Sequence, residues 1–116
     1  MLARENRLLK ADDFRTTMRA GRKVSSSSFV LYLKRDLGNP QARFGFVVAK
    51  TVGNAVTRNL VKRRLRVLAR RQLQNFSSGS DVVVRALPAI AGLDWNKLSL
   101  EFESAVSKLL AKGNQA

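Results

Sequence analysis

The sequence contains no cysteine and no histidine. Disulfide bonds, thiolate metal sites and cysteine nucleophiles are therefore excluded, and so are the commonest general base and the commonest metal ligand of enzymes. The N-terminal stretch MLARENRLLKADDF lacks the continuous apolar core of a signal peptide, and no run approaches the ~20 apolar residues that a membrane span needs. We therefore expect a cytoplasmic protein.

Acidic residues are scarce as well. The chain has 8 Asp and Glu against 22 Lys and Arg, which gives a net charge of +14. No acid lies between Asp36 and Asp81, an interval that contains nine Lys and Arg. Because self-repulsion at this charge destabilises a compact domain, the composition predicts a polyanionic partner. Nucleic acid is the first choice, since each neutralised phosphate releases counterions, and an anionic membrane surface is the rival.

The 116 residues, 45% of them hydrophobic, suit one folded domain. We expect this domain to span 1–116, with a flexible tail at about 112–116. Hydrophobic periodicity predicts its elements: a helix at 11–20, strands at 28–35 and 42–49, a long helix at about 55–76, a strand at 80–86, and a last helix with an apolar face of Leu98, Phe102, Val106 (or Ala105) and Leu109.

Turn and cap residues refine these elements. The Gly38-Asn39-Pro40 turn between the first two strands predicts a β-hairpin. Gly21 is expected to cap the first helix at its C-terminus, the Asp12-Asp13 pair to cap its N-terminus, and Asp94 to cap the last helix. The order of elements indicates an α/β fold, an α+β sandwich with helices on a small sheet. The strand-helix-strand passage through the long helix predicts a parallel crossover, right-handed by the general rule.

The long helix concentrates positive charge. The stretch KTVGNAVTRNLVKRRLRVLARR has eight Lys and Arg and no acid. At 100° per residue, one face is apolar and carries the predicted core residues Val61, Leu65, Leu68, Ala69 and Phe76. A stripe of Lys62, Arg63, Arg66 and Arg70 lies beside it, and a second apolar strip of Val56, Leu60 and Val67 lies opposite, with Arg64 and Arg71 beyond.

A merely solvated charged face is the alternative reading of this stripe. Such a helix usually places Glu four residues before Lys or Arg, and none occurs here. We therefore predict that the stripe faces a polyanionic partner, with the phosphates of a nucleic acid as the first choice.

The segment RFGFVVAKTVGNAVTRN, continuing into LVKRRLR, resembles the signature of the protein subunit of bacterial ribonuclease P. RLLKADDF, FVLY and DVVVRALP extend the resemblance over about residues 4–90. Two positions depart from the family pattern: Leu60 stands where a second Arg of an Arg-Asn-Arg triplet is frequent, and Thr51 stands where a second Lys is common.

This resemblance implies a more detailed fold. It adds a short strand at about 23–25, which gives a small mixed sheet of about four strands and the element order αβββαβα. It also implies a left-handed βαβ crossover through the basic helix, in place of the right-handed one, and an architecture like that of ribosomal protein S5 domain 2.

The resemblance implies a function too. The family's enzyme is a ribonucleoprotein that removes the 5′ leader of precursor tRNA, and its RNA subunit is the catalyst and uses Mg²⁺. We therefore predict no catalytic residue, metal ion or cofactor in the protein, no membrane contact, and one protein per catalytic RNA. The implied contacts to the catalytic RNA are Lys50, Asn54, Arg58, Asn59, Lys62, Arg63 and Arg66. The resemblance also implies a cleft between the first helix and the sheet that binds the single-stranded leader, lined by Phe14, Met18 and Tyr32. We add Phe46, on the neighbouring strand, to this cleft.

Other interpretations stay open on the sequence alone. Asn54 could be the N-cap of the helix, and Phe14 could be an ordinary core residue. A ribosomal or other structural RNA-binding protein would share the charge and the type of fold. A protein-only nuclease is the third possibility, against which the missing histidine and the scattered acids argue.

Overall fold

The computed structural model describes residues 2–35 and 37–114. Their helices and strands follow the predicted order αβββαβα, and the short first strand implied by the resemblance is confirmed. The tail expected at about 112–116 stays a prediction, because residues 115 and 116 lie outside the described residues. The elements are α1 (Ala11–Ala20), β1 (Arg22–Ser25), β2 (Phe29–Lys34), β3 (Arg43–Val47), α2 (Ala55–Gln72), β4 (Asp81–Ala86) and α3 (Trp95–Asn114).

The strands form a mixed sheet in the order β1-β2-β4-β3. β4 is antiparallel to β2 and parallel to β3, so the parallel crossover through α2 is confirmed. The left-handed sense of the crossover stays a prediction. The predicted hairpin of β2 with β3 is wrong, because β4 lies between them. Val82, Val83 and Val84 are each 0% exposed, and a strand that is apolar on both faces belongs in the centre of a sheet.

α2 and α3 cover one face of the sheet. The predicted apolar face of α2 is confirmed, since Val61, Leu65, Leu68 and Ala69 are all buried. The predicted face of α3 is confirmed as well, and both Ala105 and Val106 belong to it. These residues pack against the side chains of β1–β4 that alternate toward them, which are Val24, Phe29, Leu31, Leu33, Phe44, Val82, Val84 and Ala86.

α1 covers part of the opposite face. Its half-buried Phe14 and Met18 pack against a smaller cluster in which Val30, Tyr32 and Val83 are buried. The sheet therefore separates two apolar clusters, the larger beneath α2 and α3 and the smaller beneath α1.

The helix ends follow the predictions in part. Lys97 donates its backbone N–H to the Asp94 carboxylate at 2.8 Å, which confirms the cap of α3. The Asp12-Asp13 pair does not cap α1 by a hydrogen bond, because Lys10 is the N-cap residue and Asp12 pairs with Arg15 instead. Both acids still lie in the first turn, where the helix dipole favours negative charge.

α2 ends earlier than predicted, at Gln72. A 3₁₀ turn, Leu73–Asn75, then leads to the buried Phe76. Gly21 does follow α1 and donates its N–H to the Thr17 carbonyl, but with extended backbone, φ −77°. Close packing requires glycine at position 21, since a Cβ there would clash with the carbonyl oxygens of Thr17 and Leu33. None of the helices in the described part of the chain is long and apolar enough to cross a bilayer.

Candidate nucleic-acid interface

The start of α2 is fixed by two of the predicted RNA contacts. The Asn54 side chain accepts a hydrogen bond from the Thr57 backbone N–H at 2.9 Å, so the N-cap alternative for Asn54 is confirmed. Arg58 donates from Nε to the Gly53 carbonyl at 3.1 Å. These bonds use one oxygen of Asn54 and one nitrogen of Arg58. The Asn54 amide nitrogen and the terminal nitrogens of Arg58 make no hydrogen bond to the rest of the described chain.

The remaining predicted contacts line the surface of the helix and its entry. The members of this set share positive or polar character, and none of them forms an ion pair with an acid in the part of the chain that the structure describes. Their charge on α2 is therefore not compensated by the described residues. Lys50, Asn59 and Arg63 are exposed, whereas Lys62 and Arg66 are half-buried.

Two other arginines of α2 serve the fold instead. Arg64 donates from Nη1 to the Leu93 carbonyl at 3.2 Å. The Arg71 guanidinium lies 5.3 Å from the centroid of the Trp95 ring, within cation–π range. Arg64 and Arg71 thus contact Leu93 and the first residue of α3, whereas Lys62, Arg63 and Arg66 on another side of α2 have no ion-pair partner among the described residues.

The aromatic surface lies across the sheet from α2. Phe14, Met18 and Tyr32 come together in one cluster on the α1 face, as the cleft prediction requires. Tyr32 is only 7% exposed, so Phe14 and Met18 are the accessible members. Binding of the leader by these residues stays a prediction.

Arg85 is a candidate contact that the sequence reasoning missed. It lies on the central strand β4 yet is exposed, with Val30 opposite on β2 and Val47 opposite on β3. No acid among the described residues pairs with it. The signal was present in DVVVRA, where an arginine follows the apolar run of a central strand and marks the uncovered part of a sheet face. Arg85 therefore adds positive charge beside the aromatic cluster.

Phe46 does not share the sheet face of the other three leader candidates. It packs half-buried against the cluster beneath α2, whereas Phe14 packs beneath α1. Both side chains nevertheless line one pocket of about 190 Å³ beside the edge strand β3. We call this the edge pocket; its walls include Leu9, Phe14, Gly45, Phe46, Lys62 and Arg66.

The acids near the interface are engaged with a different arginine. Arg43 makes a bidentate pair with the buried Asp81, at 2.8 and 2.7 Å, and lies 3.7 Å from Asp13. The hydrogen bond to Asp81 raises the pKa of Arg43, with burial acting in the opposite direction. In the described part of the chain, no three acidic side chains gather closely enough to hold a metal ion.

The comparisons with known proteins agree on one family. The family model described as Ribonuclease P matches residues 2–110. A ribonuclease P protein component from Arthrobacter sp. (strain FB24) is 43% identical over 112 residues, which cover 97% of this chain and 82% of the relative. The Staphylococcus aureus RNase P protein superposes with a TM-score of 0.75 at 25% identity, covering 94% of this chain and 95% of that one. The Thermotoga maritima RNase P protein superposes with a TM-score of 0.72 at 26% identity, covering 89% and 94%.

Proposed function

Because the chain belongs to the ribonuclease P protein component family, we propose that it binds both the catalytic RNA and the 5′ leader of precursor tRNA, and so supports removal of the leader. The observation that carries the proposal is the cationic side of α2. Lys62, Arg63 and Arg66 have no ion-pair partner among the described residues, although each neutralising contact within the fold would relieve self-repulsion.

The two surfaces suit two different RNA structures. Arginine forks on a helix pair with phosphate oxygens whatever the base sequence, which fits a folded catalytic RNA. Half-buried aromatic and thioether side chains beside positive charge fit a single strand, whose bases are free to stack. The cluster of Phe14 and Met18, with Arg85 on the same sheet face, has this second character.

The protein's role in this proposal is binding, and the chemistry belongs to the RNA subunit with its Mg²⁺. Hydrolysis by a protein-held metal pair needs clustered carboxylates. Most of the described acids have other partners: Asp13 and Asp81 lie against Arg43, Asp94 caps α3, and Glu101 accepts hydrogen bonds from Ser28. The acids in the described part of the chain therefore do not form such a centre.

Neutralising phosphates would let the RNA subunit and its substrate approach each other at a lower Mg²⁺ concentration. One protein per catalytic RNA, acting in the cytoplasm, completes the proposal. Both RNA surfaces lie on one small domain, so a single copy can contact the catalytic RNA through α2 and the leader through the α1 face.

Cleavage of a precursor tRNA tests this function. The substrate is incubated over a range of Mg²⁺ concentrations with the protein alone, with the RNA subunit alone, and with both. We expect no cleavage by the protein alone, and a shift of the cleavage curve to lower Mg²⁺ when the protein joins the RNA. Leader removal by the protein alone, or an unshifted curve, would refute the proposal.

A further inference from the structure

The edge pocket joins the two surfaces that were predicted to bind different RNAs. Its α2 wall carries Lys62 and Arg66, and its other walls include Phe14 and Phe46. The pocket lies beside the edge strand β3, where Arg7, Leu8 and Leu9 also line it and Leu8 donates its N–H to the Phe44 carbonyl at 2.8 Å. One ligand in this pocket would therefore contact both the cationic side of α2 and the aromatic residues.

Phe14 and Phe46, the aromatic walls of the pocket, are packed in place but not fully buried in the core. Gly45 allows the Phe14 ring to lie against the β3 backbone, because a Cβ at residue 45 would stand 2.5 Å from two of its ring atoms. Phe44 differs from its neighbours: it is 1% exposed, and its ring stacks edge-on against Phe76 at 5.4 Å. Phe14 and Phe46 remain half-buried, so each keeps accessible surface.

The cationic wall is compact. Lys62 and Arg66 are four residues apart on α2, which places their side chains one above the other on the same face. Both are half-buried, and neither side chain forms an ion pair or hydrogen bond with another described residue. Two such donors beside apolar walls favour a ligand with one anionic group and one flat apolar group.

We propose that the edge pocket binds one unpaired nucleotide of RNA, with its base against Phe14 and Phe46 and its phosphate between Lys62 and Arg66. The proposal rests on the proposed function for the presence of RNA, and goes beyond it by naming the site and its occupant. A nucleotide of the leader and an unstacked nucleotide of the catalytic RNA share this chemistry, and the experiment below distinguishes the two sources.

Two substitutions probe the pocket without removing a buried core residue. Phe46→Leu keeps an apolar side chain but removes the ring, and Leu9→Glu places a negative charge at the mouth. Leu100→Glu on α3 is the matched control for the second, since Leu9 and Leu100 are 65% and 67% exposed. Circular dichroism and thermal melting of each variant establish that it is folded.

The measurements use the protein assembled with its RNA subunit. The affinity of the protein for the RNA subunit is measured first, and the affinity of the assembled enzyme for precursor tRNA is measured next. The precursors include a series of shortened leaders and a series with a single abasic nucleotide at successive leader positions. Stacking energies per base correspond to a loss of about 5- to 150-fold in affinity when the ring is removed.

Each source of the nucleotide gives its own pattern. A leader nucleotide predicts that Phe46→Leu and Leu9→Glu weaken binding of long-leader precursors only, and that one abasic position weakens the wild type but not Phe46→Leu. A catalytic-RNA nucleotide predicts weaker binding to the RNA subunit, whatever the leader. The inference is overturned if both variants bind both RNAs like the wild type, or if Leu100→Glu loses as much as Leu9→Glu. A wild-type protein that fails to shift the Mg²⁺ curve would instead refute the proposed function, and the inference with it.

Discussion

Replacing Lys62, Arg63 and Arg66 together by glutamine should weaken the salt dependence of binding to the catalytic RNA. Glutamine keeps a polar side chain but removes the charge, and these three residues have no ion pair in the described fold to lose. Each phosphate contact contributes roughly −0.7 to −0.9 to the slope of log K against log salt concentration. Loss of three contacts should therefore make the slope shallower by about 2 to 3.

The magnitude is large enough to measure by filter binding or fluorescence anisotropy. Between about 50 and 200 mM salt, the affinity advantage of the wild type should shrink by about 20- to 40-fold. Lys97→Gln/Lys108→Gln is the control, because both lysines are exposed on α3 and belong to neither proposed RNA surface. We expect its slope to change little for each charge removed. An unchanged slope in the triple variant would show that these three residues make no phosphate contacts. An equal change per charge in the control would show that the RNA responds to net charge and not to this side of α2.

Three further outcomes follow from individual contacts. Asn54→Ala should lower the free energy of unfolding by about 0.5–2 kcal/mol in a urea titration, because it removes the N-cap of α2. Asn54→Asp keeps a capping oxygen and should retain most of the unfolding free energy. Equal losses in the two variants would contradict the capping role. Asp81→Asn should lower the free energy of unfolding by about 1.5–3 kcal/mol, since it removes the charge that Arg43 pairs with. Asp12→Asn, at the exposed pair with Arg15, should cost little. Similar losses at both positions would show that the burial of Asp81 is not the cause. Gly45→Ala should lower both the melting temperature and the affinity for the leader, because it displaces the Phe14 ring. The double variant Gly45→Ala/Phe14→Leu should recover the melting temperature but not the affinity. Recovery of affinity in the double variant would exclude the Phe14 ring from leader binding.

Local patterns predicted the helices well because burial on a helix follows directly from azimuth. The apolar face of α2 and that of α3 appear in the structure as their periodicity predicts. The sequence left two roles open for Asn54, an RNA contact and the N-cap of α2. The hydrogen bond from the Thr57 N–H confirms the N-cap. The end of α2 was placed too far along, because a 3₁₀ turn continues the same apolar side for a few residues after Gln72.

The pairing of the strands was predicted less well than the helices. β2 and β3 follow one another across a turn, and this proximity in sequence favoured a hairpin. The structure instead pairs each of them with β4, which comes much later in the chain. The apolar run in β4 held the relevant information, since Val82, Val83 and Val84 can all be buried only in a central strand.

The same misplaced strand limited the prediction of the interface. With β2 beside β3, Phe46 and Tyr32 were expected in one cleft, whereas the true strand order and the alternation of β3 put Phe46 on the α2 face. Exposure of Arg85 also depends on which strands flank β4 and on how little of that face α1 covers. The strand order and the coverage by α1 are both properties of tertiary packing, and hydrophobic periodicity within one element does not predict them.

The central position of β4 has a consequence for how the protein folds during synthesis. β2 and β3 share no ladder with each other, so most of the sheet waits until Asp81–Ala86 has been made. Joining β2 to β4 then closes a loop of about 50 residues, a non-local contact of the kind that slows folding. The cationic helix lies within that loop and leaves the ribosome first. A nascent chain stalled before β4 would therefore carry its full complement of α2 charge without the sheet that orients it.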